Sequence, residues 1–208
     1  MQDINYALIL TAAFLTMASP GPATVAIAGA AMGQGRPGSL SMAAGVLSGS
    51  LLWSASAALG VATVLLKHVW ALEVLRYLGA AYLMYLALKS LRAAIAGDPL
   101  IVKPMIQQSL TTLYLKGLLI HLTNPKAVMF FAALYSTGTP STAGAREMTF
   151  TVLGVGLVGA GVFFGYAYLF SSAAVGGVYL KFRRLIEGLF ALIFGAASAR
   201  LLAGARID

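Results

Sequence analysis

The chain has 208 residues, of which 60% are hydrophobic and 10% charged, with a formal net charge of +8. A soluble domain carries about a quarter charged residues, and at a mean hydropathy of +0.87 these side chains cannot cover a water-facing surface. The composition reads as a polytopic membrane protein in a lipid bilayer. Its basic excess then orients segments in the membrane rather than binding nucleic acid, for which no patch of interleaved aromatic and basic residues exists. Zero cysteines exclude disulfides and thiolate metal sites.

In chain order, six stretches have the roughly 20 mostly apolar residues that a crossing needs. The first runs from about Tyr6 to Met32 and is interrupted by Ser19-Pro20-Gly21-Pro22. Its opening resembles a signal-peptide core, but Met1-Gln-Asp-Ile-Asn5 supplies an acid and no base. Because the apolar run resumes at Ala23, the stretch is expected to stay as a membrane segment. The second runs from about Ser39 to Leu66, and the third from about Leu72 to Leu91. A polar stretch at about 92–109, with Asp98-Pro99 and Lys103-Pro104, reads as a linker between halves 1–95 and 108–208 of one transporter domain. The fourth, about Leu113 to Tyr135, is interrupted by Asn124-Pro125-Lys126. The fifth runs from Met148 to Phe170 and the sixth from about Leu185 to Leu202.

Sorting bases by side places Arg36, Lys89, Arg92, Lys103, Lys116, Lys181, Arg183 and Arg184 together, against Lys67, Arg76, Arg146, Arg200 and Arg206. The richer side is expected in the cytoplasm, with both termini outside. Three segments per half make the second half enter from the opposite face. The expected fold is therefore all-α, with six transmembrane helices in a 3+3 inverted repeat and breaks in the first and fourth helices, as secondary transporters are built.

Proline inside a helix removes a donor and clashes with the carbonyl one turn back. Ser19-Pro20-Gly21-Pro22 should unwind the chain, and unwound backbone at membrane depth persists only beside protein or water. The freed amides of the following half-helix attract anions such as a carboxylate. Lys126, directly after Pro125, is a costly charge in an apolar segment and should face a partner or a wet cavity; the alternative is a lysine snorkelling to a nearby surface. The six acids are Asp3, Glu73, Asp98, Glu147, Glu187 and Asp208, and none falls in the middle of an expected crossing. Glu187, in the first turn of the sixth, and Glu73, at the start of the third, either line a vestibule or, as the preferred reading, are interfacial charges paired with Arg184 or Arg76. His121 lies one turn before Asn124 and either lines the same cavity or is satisfied by a carbonyl. Tyr82 and Tyr85, three apart, read as packing or as a gate. The pairs Gly29/Gly33, Gly45/Gly49 and Gly161/Gly165 permit close helix approach, as internal packing or in a homodimer.

Other classes fit poorly. A metalloprotease needs His-Glu-x-x-His, which is absent, and neither histidine pairs recognisably with Ser48 or Ser50 as a serine nucleophile would require. The chain is read as no enzyme, without cofactor or metal. A channel would show charge rings or a repeated filter, and matched breaks favour a carrier instead; a channel, or an exporter of a solute other than an amino acid, is the alternative.

At the breaks the chain resembles the LysE/RhtB family of bacterial amino-acid exporters. The likeness lies in Ser19-Pro-Gly-Pro22, Gly33-Gln-Gly-Arg36-Pro-Gly38, Gly45 and Gly49, Leu78-Gly-Ala-Ala-Tyr82-Leu-Met-Tyr85-Leu, and Lys116-Gly117 leading into Asn124-Pro-Lys126-Ala-Val-Met-Phe-Phe131. It departs at Tyr135-Ser-Thr-Gly-Thr-Pro140, where the family often has Leu-Pro-x-Phe. The resemblance implies a multi-pass exporter of amino acids or close derivatives in the bacterial inner membrane, driven by the proton motive force. It places the substrate at Ser19, Pro20, Gly21 and Pro22 in one half and Asn124, Pro125 and Lys126 in the other. Without a central acid, a neutral amino acid is favoured over a cationic one, and Lys126 is the one internal candidate for a proton carrier.

Overall fold

The computed structural model describes residues 4–65, 69–96, 106–140 and 143–203. These are helical throughout, with no strand among the described residues: α1 (Tyr6–Ala18), α2 (Pro22–Leu65), α3 (Val69–Ala96), α4 (Leu110–Leu122), α5 (Pro125–Gly138), α6 (Ala145–Phe170) and α7 (Ala173–Ala203). Residues 97–105 of the expected linker, His68, and the side chains of Glu73 and Arg76 lie outside the described residues.

Local chemistry sets the boundaries. Asn5 opens α1 by accepting from the Leu8 amide at 3.0 Å, and Ser109 caps α4 through the Thr112 amide at 3.1 Å. Pro22 and Pro125 each stand at the first position of a helix, where the missing amide proton costs nothing. Within α2 the chain breaks again at Gly35, whose φ of 64° and ψ of −154° suit a residue without Cβ, and helix resumes with Pro37. Both expected interruptions, at Ser19–Gly21 and at Thr123–Asn124, are therefore real breaks, and the turn after the first expected crossing falls at Gly35.

Among the described residues two stretches are long and apolar enough to cross a membrane, Pro22–Gly60 and Ala145–Phe170. The pair Leu110–Leu122 and Lys126–Tyr135, bent by 58°, makes a third if taken as one span. Exposed leucines such as Leu59, Leu157, Leu185 and Leu192, each more than 70% accessible, form the outer surface. Such a surface suits lipid and not water.

Packing divides into two cores. The larger joins α1, α2, α4, α5 and α6 around Ile9, Ile27, Val46, Leu113, Phe131 and Phe163. Its tightest seam is between α2 and α4: a Cβ on Gly45 would lie 1.9 Å from the Tyr114 carbonyl oxygen, and one on Gly117 2.3 Å from that of Met42. Backbones touch here because both helices offer glycine, so Gly45 and Gly49 serve internal packing. The smaller core pairs α3 with α7 through Tyr82, Leu86, Phe190 and Phe194, with Leu15, Ala18 and Met129 against it. Ser198 ties the pair by donating to the Ala80 carbonyl at 2.8 Å.

The last helix departs from expectation. It starts at Ala173, well before Leu185, because hydropathy marks what lipid covers whereas basic residues extend a helix readily. Glu187 is thus mid-helix rather than in a first turn, and buried. Arg184 turns instead to the carbonyls of Ala94 and Ile95, at 3.0 and 3.4 Å.

Candidate functional site

The two breaks meet. Ser19 ends α1 with extended backbone (φ −68°, ψ 133°), its amide donating to the Leu15 carbonyl. The Lys126 ammonium, 107 residues on, donates to that carbonyl at 2.9 Å. The lysine stem passes Gly21, where a Cβ would stand 3.6 Å from Lys126 Cδ and 3.7 Å from Nζ. The hydroxyl of Tyr166 on α6 donates to the neighbouring Ala18 carbonyl, so two of the carbonyls that end α1 are held by side chains from elsewhere.

At the second break Asn124 is buried and works locally. Its Oδ1 accepts from the Lys126 amide at 3.0 Å, and its carbonyl accepts from Ala127 and Val128 at 2.9 and 3.2 Å. The first turn of α5 is therefore already satisfied by its own cap. The first turn of α2 differs: Val25 donates to Gly21, while the Ala23 and Thr24 amides make no hydrogen bond among the described residues. The residue before Pro22 is Gly21, which has no side chain to cap that turn as Asn124 caps α5.

Between the breaks lies a cavity of about 30 Å³, room for about two waters. Thr16, Ser19, Gly21 and Thr24 line it from the first break, and His121, Asn124 and Lys126 from the second. Met17, Ala127, Phe130, Phe131 and Phe163 supply an apolar wall. His121 is 5% accessible and among the described residues neither of its ring nitrogens has a partner, so no described carbonyl satisfies it. Its ring meets the edge of Phe163 at 5.8 Å between centroids. Behind it Gly49 gives clearance, for a Cβ there would sit 2.9 Å from the His121 Cβ. The fields of Lys89 and Glu187 also reach Lys126.

Ser19, Gly21, His121, Asn124 and Lys126 are thus brought together, with Pro20, Pro22 and Pro125 shaping the turns around them. Tyr82 and Tyr85 are not. Their rings lie 6.2 Å apart on α3, Tyr82 buried in the α3–α7 core with its hydroxyl unpartnered among the described residues and Tyr85 56% exposed. Packing of α3 on α7 carries both away from the cavity wall. The sequence reading missed Thr16 and Thr24, hydroxyls one turn either side of Pro20, and the aromatic wall, whose residues look like any other apolar positions. Among the described residues no three metal-binding side chains come together.

Helix breaks facing each other across a mixed polar and apolar cavity, inside a lipid-facing helical shell, define a membrane transport protein. Residues 14–204 match the family described as LysE type translocator, and the chain belongs to that family. It is 28% identical over 201 residues to the leucine efflux protein of Salmonella typhimurium, covering 95% of this chain and 94% of that one. The leucine efflux protein of Salmonella typhi gives the same figures. The homoserine/homoserine lactone efflux protein of Salmonella typhimurium is 31% identical over 131 residues, 62% of each chain. No solved structure matches the chain.

Proposed function

We propose that this protein is a secondary active carrier exporting amino acids or close derivatives across the bacterial inner membrane, neutral ones in preference to cationic. The observation that carries the reading is the Lys126–Ser19 contact joining the two helix breaks across the cavity. A substrate carboxylate would take the Lys126 ammonium together with the open Ala23 and Thr24 amides. Ser19, released from Lys126, would then offer its carbonyl to the substrate ammonium, and the wall of Met17, Phe130, Phe131 and Phe163 suits an apolar side chain. Relatives named for leucine and homoserine efflux support the substrate class.

The cavity is far below the roughly 300–1,000 Å³ of ordinary small-molecule pockets. The breaks must part to admit cargo, which favours a carrier over an open pore. Element lengths support six crossings as a 3+3 inverted repeat with the halves divided near 92–109. Both α1 and α4 have 13 residues before their break, and α3 and α7 close their halves with 28 and 31. Both termini would lie outside. The chain lacks cysteine, so single-cysteine accessibility can test this directly: positions 7 and 111 reactive from the same side would overturn the repeat.

The functional test is counterflow of labelled leucine, homoserine and lysine in proteoliposomes, native against Lys126→Ala. Saturable exchange of the neutral amino acids, weakened in the variant, is expected. Flux without counterflow would identify a channel, and no exchange of any amino acid would remove the assignment.

A further inference from the structure

The imidazole of His121 is buried at the cavity with neither ring nitrogen partnered among the described residues. A neutral imidazole carries one donor and one acceptor, and both face a cavity with room for about two waters, so they are open to whatever enters it, water or the polar groups of a ligand. The ring is also held in place, between the clearance left by Gly49 and the edge of Phe163. Two of its polar neighbours are engaged elsewhere. Asn124 Oδ1 accepts from the Lys126 amide, and the Lys126 ammonium is on the Ser19 carbonyl.

Each element packed against His121 can be named. From α2 comes Gly49, and the hydroxyls of Ser48 and Ser54 on that helix are taken by Tyr114 and Tyr135. Phe163 comes from α6, Thr16 and Ser19 stand across the cavity on α1, and α5 brings Lys126. Among the described residues, Lys126 is the charge that acts on it.

We propose that His121 is where substrate and proton exclude each other. Its unprotonated ring nitrogen accepts a hydrogen bond from the α-ammonium of an amino acid whose carboxylate is on Lys126. A proton taken from solvent onto that nitrogen removes the acceptor and sets a positive charge against the ammonium. Binding of either ligand then expels the other, and by linkage each weakens the other by the same factor. This rests on the amino-acid reading above.

The test is proton release. Leucine or homoserine is added to the purified full-length protein in weakly buffered detergent solution with a pH dye, from about pH 4 to 8, around the range in which imidazoles titrate. The native protein should release up to one proton per substrate bound. Its apparent affinity should fall toward tenfold per pH unit on the acid side. His121→Gln keeps an acceptor but cannot titrate, so release should vanish and affinity should lose its pH dependence. Lys126→Met, at saturating substrate, should still release protons, which keeps the test decisive if His121→Gln does not fold.

Saturable binding to the native protein without proton release would overturn the role of His121 alone. So would release that persists in His121→Gln, or is lost in Lys126→Met. Absence of amino-acid binding at any pH would remove the exporter reading and this inference with it.

Discussion

Gly45→Ala and Gly161→Ala should shift stability in opposite directions, although both replace glycine by alanine inside a helix. Helix propensity favours each substitution by about 1 kcal/mol. At Gly161 nothing lies within 4 Å of the new Cβ, so that gain stands alone. At Gly45 the Cβ would lie 1.9 Å from the Tyr114 carbonyl oxygen and 2.8 Å from the Leu118 amide nitrogen. Both are backbone atoms of α4, so no side chain can swing away, and α4 must retreat by about 1 Å at a cost near 3 kcal/mol, the upper end for overpacking. The net is about 2 kcal/mol destabilising at Gly45. At roughly 2–4 °C per kcal/mol for a chain of this size, Tm should fall by about 4–8 °C for Gly45→Ala and rise by about 2–4 °C for Gly161→Ala. A thermal-shift series on detergent-purified protein reads both. If Gly45→Ala matches or exceeds native stability, the α2–α4 contact is not where the structure puts it.

Three further outcomes follow from the site and its turns. Lys126→Met removes the charged donor for a substrate carboxylate, worth about 1.5–3 kcal/mol, so the counterflow KM should rise about 10- to 150-fold; a KM within twofold of native would refute the role given to Lys126. Asn124→Ala removes the cap of α5, which accepts from the Lys126 amide, and should cost about 1 kcal/mol, seen as a lowered Tm together with weaker exchange. Gly35→Ala meets no clash but must hold a φ of 64°, so it should cost about 1–3 kcal/mol in stability through backbone strain alone; unchanged Tm would show that the α2 break lies elsewhere.

What the sequence by itself determined was what depends on composition and on neighbours along the chain. Sixty per cent hydrophobic residues in long runs place the protein in a membrane. Prolines act on the turn they stand in, so Pro20, Pro22 and Pro125 announced both helix breaks before any contact was known. The same logic failed for α7, because hydropathy reports lipid cover and not helix length, and Glu187 was misplaced with it.

What only the tertiary structure decided was how the two breaks confront each other. The Lys126–Ser19 contact spans 107 residues of chain. Open amides persist at Ala23 and Thr24 but not at α5, because only the second break has an asparagine turned back onto its own helix. Packing likewise left His121 without partners among the described residues, beside a glycine that makes room for it, and carried Tyr82 into another core with Tyr85 on its exposed side. Local sterics fix where a helix stops. Which polar groups remain unsatisfied depends on every neighbour that packing brings, and those neighbours are distant in the chain.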